Sequence, residues 1–365
     1  MPMVIDPNNI NGLVDLTATI NVIPNNWGLF NQLGIFDVER KSLKTIQVPR
    51  TEWDEGLIPD RNWDERNTAS RGPTRSYLTA SIPHFPLDDY ITPNDIDGKV
   101  AFTEIYAGTQ IETVAATRAR KMLQIRMNHS LTLEAARAEL ITTGNVYAPS
   151  GTLRQSYGDT INWYNEFGVT RSEFTMPLAD ETANPLVSVE PIIAAIQDNL
   201  KSGAIVERLV AVASPTFFNA LISHPYVIDA YKYYAQIQGQ SVLTGRLNAS
   251  AYGLDARYRT FDFGGILWIE YRGSYVDRNT GVTVPYIPAG DAYAFPRVSS
   301  NAMFKTYFAP ANRFDTINTV AQESYFFEYM GEKQDKIELM TESNFMNAVL
   351  QPQALVRISI APVAP

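Results

Sequence analysis

The sequence predicts an α+β fold organised around one long helix. Three observations carry this. Residues 103–143 hold an apolar stripe at helical spacing, 184–234 read as helix, strand, helix and helix, and the last third alternates in the manner of strands. At 365 residues the chain has room for one large domain or roughly two to three intertwined subdomains. The hydrophobic share of 45%, with 17 Phe, 19 Tyr and 5 Trp, supplies a large core.

Charge and composition narrow the function. A formal charge of −9 repels nucleic acid on average, which disfavours a base-reading role but not a place beside DNA. The chain has no cysteine, so disulfides, thiolate metal sites and Cys nucleophiles are excluded, as suits a reducing cytoplasm. The opening MPMVIDPNNINGL lacks a basic n-region and an apolar h-region, so no signal peptide is expected. Apolar runs such as LVAVA (209–213) are far too short to span a bilayer.

Residues 1–41 read as an extended arm with one short helix. That helix is capped at Asn25 or Asn26 and stops near Gly34, with Trp27, Phe30 and Leu33 at spacing three. Residues 42–85 read as two strands, with Ile46 and Val48 on one face of the first and Leu78, Ala80 and Ile82 on one face of the second. Between them lies TEWDEGLIPDRNWDERNTASRG, with six acids, two tryptophans and little periodicity. So long a loop without its own core is usually functional or disordered, and here it calls for a neighbour.

The long helix follows. Ile111, Val114, Ala115, Met122, Ile125 and His129 share one stripe at 100° per residue. Arg118 sits inside the stripe and is expected to pair with a carboxylate or carbonyl, while Lys121 and Arg126 flank it. Thr132 is a candidate restart, and Gly144 a natural stop. A continuous helix from 111 to 141 would be about 45 Å long, a spine. Strands are expected over 157–180, and a helix over 184–203 with Gly203 as its stop. A buried strand follows over 205–214, then a helix capped by Ser214 with Pro215 at its first position. HPYVIDAYKYY (224–234) packs a histidine and four tyrosines into a helix opened by Pro225. Val227, Tyr231 and Tyr234 share its inward face. The remainder reads as a strand with a glycine pair (261–273), a hairpin around Asn279 to Gly281, and two or three strands over 324–360.

Signs of chemistry are sparse. His84, His129 and His224 stand 45 and 95 residues apart, without ligand spacing, and read as structural. No G-x-S-x-G or G-x-G-x-x-G occurs. GQSVLTGR (239–246) has the wrong glycine spacing and an Arg for a phosphate loop. PNDIDGKVAFTE (93–104) begins on a proline where a calcium loop needs an oxygen ligand, and reads as a polar turn. Asp54, Glu55, Asp64 and Glu65 beside Trp53 and Trp63 could serve a polysaccharide hydrolase. Such a carboxylate pair belongs in a rigid cleft, however, and a partner-facing loop is the better reading. No cofactor is expected.

The order of parts, with four stretches of sequence, resembles a known family. These are ASPTFFNALISHPYVIDAYKYY (213–234), FDFGGILWIEYRG (261–273), IPAGDAYAFP with YFAPANRFDTINT (287–296, 307–319) and ESNFMNAVLQPQALVRI (342–358). They resemble segments of the lambda-type capsid protein E family of tailed-bacteriophage major capsid proteins, which has the HK-97-like fold. Phe345 departs from the family's proline after Ser-Asn. The resemblance implies an N-terminal arm (1–41), an extended hairpin or E-loop (42–100), and a peripheral domain with the spine helix (101–180). An axial α+β domain (181–323) and C-terminal strands returning to the peripheral domain (324–365) complete it.

The same resemblance implies self-assembly as pentamers and hexamers into an icosahedral head, with scaffold, protease, portal and decoration proteins as further partners. It also implies packaged double-stranded DNA nearby, no membrane, and synthesis in the host bacterial cytoplasm. The expected assembly residues are Trp53, Asp54, Glu55, Trp63, Asp64, Glu65, Arg118, Lys121 and Arg126, the last two as partners for the loop's acids. A different virion binding module using the acidic loop is the alternative.

Overall fold

The computed structural model describes residues 13–23, 28–52, 74–97, 113–148, 161–200, 205–230, 254–255, 257–277, 281–299, 303–330 and 335–360. The first part of the chain supplies β1 (Leu13–Asp15), α1 (Thr17–Val22), α2 (Leu29–Leu33), β2 (Phe36–Arg40), β3 (Thr45–Glu52), β4 (Thr74–Ser81) and β5 (Pro86–Ile91). The middle supplies α3 (Val114–Thr143), α4 (Trp163–Phe167), β6 (Ser172–Thr175), α5 (Pro185–Asp198), β7 (Val206–Ala213) and α6 (Pro215–Ser223). Then come β8 (Thr260–Phe263), β9 (Ile266–Glu270), β10 (Ser274–Val276), β11 (Thr283–Pro285), β12 (Asp291–Val298) and β13 (Phe304–Ala309). The last are β14 (Tyr325–Met330), β15 (Ile337–Glu342), β16 (Asn344–Val349) and β17 (Val356–Ser359).

The largest sheet has six strands in the order β6-β17-β12-β7-β9-β8. Its central strand β7 explains the run LVAVA. Val210 and Val212 enter one core with Phe295, Phe304 and Trp163, while Leu209, Ala211 and Ala213 enter another with Phe217, Trp268 and Ile192. A sheet covered on both faces needs continuous apolar strands, not alternation. Helices α5 and α6 cover the second face. Ser214 caps α6 by accepting the N–H of Phe217 at 3.3 Å, as its sequence position suggested.

A four-stranded antiparallel sheet, β1-β14-β15-β5, lies against the first half of α3 through Met122 and Ile125. A three-stranded sheet, β16-β13-β2, lies against its second half and pairs β2 parallel to β13. Among the described residues, strands β3 and β4 pair with each other alone, as do β10 and β11.

Helix α3 is continuous over 30 residues, about 45 Å. Thr113 accepts the N–H of Ala116, and Gly144 ends the helix in the left-handed region at φ 78°. The expected restart at Thr132 is absent, because its hydroxyl donates to the Asn128 carbonyl within the helix. Of the stripe, Met122, Ile125 and His129 are buried, Val114 and Ala115 are exposed, and Ile111 lies outside the described residues. The most buried part is instead Leu133–Thr142, where three alanines let neighbouring elements approach on several sides.

Several expectations are corrected. The 157–180 region contains α4 as well as a strand. The Asn162 side chain accepts N–H groups from Tyr164 and Asn165, and Gly168 at φ 63° stops the helix. The presumed single strand over 261–273 is the hairpin β8–β9. Gly264 (φ 62°) and Gly265 (φ 79°) form its two-residue turn, which needs two left-handed positions. Helix α5 ends at Asp198, before Gly203. The 324–360 region holds four strands. In the arm, α2 ends at Gly34 as expected, but α1 is an additional helix and β2 is an edge strand of the three-stranded sheet, with Phe36 buried. Strand β5, grouped with the hairpin in the sequence reading, is an edge of the four-stranded sheet.

The hairpin itself forms as expected, with Ile46, Val48, Ala80 and Ile82 buried. Its tip, 53–73, lies outside the described residues, as do Trp27, Tyr231 and Tyr234. Residues 225–230 are helical after Pro225, and Val227 is buried. His224 is structural, its Nε2 lying 3.0 Å from the Asp180 carbonyl oxygen, and His129 meets Thr341 Oγ1 at 3.1 Å.

Trp268, fully buried and stacked on Phe217, contrasts with Phe314, which is 98% exposed. Trp268→Ala is expected to cost the subunit about 3–5 kcal/mol. Phe314→Ala is expected to change it by less than about 0.5 kcal/mol. Chemical denaturation of unassembled subunits measures both.

Candidate assembly interface

The spine helix is anchored by a buried carboxylate. Glu134 accepts the N–H groups of Phe30 (2.8 Å) and Asn31 (2.9 Å) at the start of α2, and the hydroxyl of Tyr271 (2.7 Å). Gly28 makes this approach possible. It sits at φ 102°, and a Cβ there would fall 2.2 Å from the Glu134 side chain. Burial pushes the Glu134 carboxyl up, against the pull of its donors and Arg137. Arg137, one turn on, donates to Asn31 Oδ1 (2.7 Å) and Thr306 Oγ1 (3.2 Å) and stacks over Phe36. Burial lowers Arg137 to about 10, with Glu134 opposing.

Two of the three cations predicted on the spine pair with its own sheet, and the third with the loop before β14. Arg118 pairs with Glu328 on β14, donating to Oε1 at 2.8 Å, as the sequence required of a cation inside an apolar stripe. Glu328 is 1% exposed, and burial pushes its carboxyl up while Arg118 opposes. Lys121 reaches both oxygens of Asp89 on β5 at 2.8 Å. Arg126 is buried and donates to Glu323 (3.0 Å), Ser324 Oγ (2.7 Å) and the Ile23 carbonyl. Lys121 and Arg126, expected as partners for the loop's acids, each already meet a carboxylate within the chain. Trp53, Asp54, Glu55, Trp63, Asp64 and Glu65 lie outside the described residues, so the structure does not bring the two groups together.

Sequence reasoning missed a cluster at the root of the hairpin. His84, in the link from β4 to β5, places Nδ1 2.8 Å from Asn344 Oδ1 and 3.2 Å from Glu342 Oε2. Glu342 also accepts the Asn344 amide (3.0 Å) and the Asn312 backbone N–H (3.2 Å). Lys44 donates to Asn312 Oδ1. The hydrogen bond to Glu342 raises the His84 pKa, with burial opposing. Burial resists ionisation of Glu342, but His84 and its other donors hold it below the usual value. These residues come from segments far apart in sequence, so no local spacing announced them. Among the described residues, no group of three or more His, Cys, Asp or Glu could hold a metal, and no helix is long and apolar enough to cross a membrane.

The chain thus combines a 30-residue helix packed on two small sheets, a two-stranded ribbon whose inner face joins the main core, and a six-stranded sheet covered on both faces. Among solved structures the chain is similar to a phage-related protein from Bordetella bronchiseptica, with TM-score 0.51, 11% identity and 96% and 97% of the two chains covered. It is also similar to the capsid of Ralstonia phage GP4, with TM-score 0.50, 9% identity and coverage of 93% and 91%. Likeness at such identity speaks for the fold alone.

The sequence comparisons go further. The model of the phage major capsid protein E family matches residues 12–360. The chain is 42% identical over 343 residues to the major capsid protein of Pseudomonas phage KPP10, covering 94% of this chain and 95% of that one. It is 28% identical over 360 residues to the major capsid protein of Salmonella phage Felix O1, covering 95% of each. The chain belongs to the phage major capsid protein E family. That family is structural and not enzymatic, which sets aside the hydrolase reading of the acidic loop.

Removing Arg118 alone leaves Glu328 buried without its cation, so Arg118→Ala is expected to cost on the order of 3 kcal/mol. Replacing both partners by Met and Leu should be close to neutral, and thermal and urea unfolding of subunits will separate the two outcomes. For His84 the raised pKa fixes the sign. Its stabilisation is full below the unfolded value of 6.5 and is lost as pH rises through the higher folded value. The melting-temperature difference between wild type and His84→Gln should therefore shrink between pH 6 and pH 8.5.

Proposed function

We propose that this chain builds an icosahedral phage head by self-association as pentamers and hexamers around packaged double-stranded DNA. The observation that carries this reading is the family relation over nearly the whole chain to proteins named as major capsid proteins. Assembly is its whole activity, and contacts between copies fall in the large obligate class, above about 2,000 Å². The helix α3 with the four-stranded sheet serves as the peripheral domain, and the six-stranded sheet with α5 and α6 as the axial domain. DNA lies nearby without base reading, in keeping with the net charge of −9. Scaffold, protease, portal and decoration proteins are further partners, and synthesis takes place in the host bacterial cytoplasm.

The arm and the hairpin reach adjacent copies. Strands β3 and β4 are each eight residues long and pair only with each other, so the ribbon's outer edges have no strand partner among the described residues. The ribbon leads into a stretch with Trp53 and Trp63 as apolar anchors, and aromatic side chains dominate contact hot spots. The surrounding charges set register and encounter rate more than affinity. Deleting 54–65, or changing both tryptophans to Ala, should leave folded subunits that no longer close into shells by electron microscopy. Closed shells of wild-type thermal stability would overturn the role given to the hairpin.

A further inference from the structure

The fold leaves an apolar knob and an apolar hollow uncovered on opposite faces of the four-stranded sheet. The knob is the turn that follows β13. Phe314 at its tip is 98% exposed, and Ile317 and Val320 are more than half exposed. This exposure is built in, because the turn is braced from within. The Ile317 N–H donates to the Arg313 carbonyl (3.0 Å), and the hydroxyls of Thr316 and Thr319 donate to the carbonyls of Ala311 (3.0 Å) and Thr316 (2.6 Å). Asn318, at φ 61°, is the one non-glycine position among the described residues in the left-handed region. A side chain held out on so ordered a turn loses little freedom when it docks.

The hollow is a pocket of about 480 Å³ beside the start of α3, walled by Ile91, Ile96, Val114, Met330 and Ile337. Its volume falls within the range of binding pockets and leaves room for the Phe314 ring with Ile317 beside it. The unbranched Met330 wall adapts to what enters. Strand alternation fixes where the two features stand. Phe326 packs with Met122 and Glu328 meets Arg118, so these two and Met330 face α3. Tyr325 and Phe327 face the other way and carry the base of the knob through Ala311 and Arg313. A chain therefore cannot seat its own knob in its own hollow across the intervening sheet. The charges also match. The knob carries the exposed Asp315 and Arg313, the latter with a ring and a thioether for partners. The rim of the hollow carries the exposed Asp97 and Asp335, and Lys336, which is paired with Glu338.

We propose that Phe314 of one copy seats in the hollow of a second copy, between Val114 and Met330. Arg313 is then brought toward Asp97 and Asp335, and Asp315 toward Lys336. Burial of the aromatic ring supplies the contact's energy, and the charges at its rim set its register. Each copy gives one knob and takes one knob, on different faces. Such a head-to-tail contact closes into a ring when the rotation between copies permits. The contact uses neither the ribbon nor its tip. It rests on the reading that the chain self-associates, and adds to it a pair of surfaces that meet.

The chain has no cysteine, so introduced thiols report the contact without interference. Shells co-assembled from Phe314→Cys and Met330→Cys chains and treated with a short bis-maleimide are expected to yield dimers that join the two variants. A chain carrying both changes should give a ladder of multimers. Val187→Cys, exposed on α5, replaces Met330→Cys to set the background. Closed shells whose Phe314→Cys and Met330→Cys chains link no better than that background would overturn the proposal. If the cysteine chains do not assemble, Phe314→Ala and Val114→Glu decide. The first removes an exposed ring, and the second places an acid at a helix N-terminus, where it favours the subunit's own fold. Each is expected to lower shell yield at least tenfold by sedimentation and electron microscopy, with the subunit's melting temperature not lowered. Wild-type yield from either overturns the contact. Wild-type chains that form no shell would remove the self-assembly reading itself, whereas shells formed without the cross-link remove only this knob and hollow.

Discussion

One buried carboxylate, Glu134, holds three parts of the subunit in register. It satisfies two N–H groups at the start of α2, which a helix of that length has no internal means to satisfy, and it accepts the only hydroxyl Tyr271 can offer. A charge taken so far from water is tolerable only with several donors and a nearby cation, and Arg137 is that cation. The requirement spreads outward. Position 28 must be glycine to admit the carboxylate, Asn31 must face Arg137, and Thr306 on β13 must accept its second nitrogen. The arm, the spine and the three-stranded sheet are fixed together by this set of bonds.

The spine thus uses two kinds of attachment along its length. Its first half is sewn by ion pairs from Arg118 and Lys121 to the four-stranded sheet and from Arg126 to the loop that leads into it. Its second half is buried by small side chains among aromatic neighbours, including Trp163 and Phe304. The ionic half is directional and the packed half is close-fitting. Together they hold a rod about 45 Å long against two different sheets without a break.

Local chemistry was legible in the sequence. Gly34, Gly144 and Ser214 were read as ends and caps because a left-handed glycine or a capping hydroxyl leaves a local mark. The pairing of Arg118 was legible because a guanidinium inside an apolar stripe has to find a carboxylate. What required three dimensions stayed hidden. The stripe at 111–129 suggested the wrong end of α3 as the buried one, since Leu133–Thr142 is packed on several sides and shows no clean period. The Gly264–Gly265 turn was read as an interruption of one strand because apolar residues flank it on both sides, as a hairpin in a doubly covered sheet requires. The partners of Lys121 and Arg126 within the chain stay hidden because nothing in the helix reveals Asp89 or Glu323, which arrive from other segments. The His84, Glu342 and Asn312 cluster was invisible for the same reason.

The strand order carries a consequence for synthesis. Each of the three larger sheets takes a strand from residues 337–359. Strand β15 joins β5 to the four-stranded sheet, β16 completes the three-stranded one, and β17 bridges β6 to the six-stranded one. An emerging chain therefore cannot finish any of these layers until residues 337–359 have been made. Until then β5 and β6 wait with open edges, and pairings separated by more than 150 residues close late and slowly. A polypeptide needed in many copies at once is exposed during that interval to pairing with its sisters before it has paired with itself.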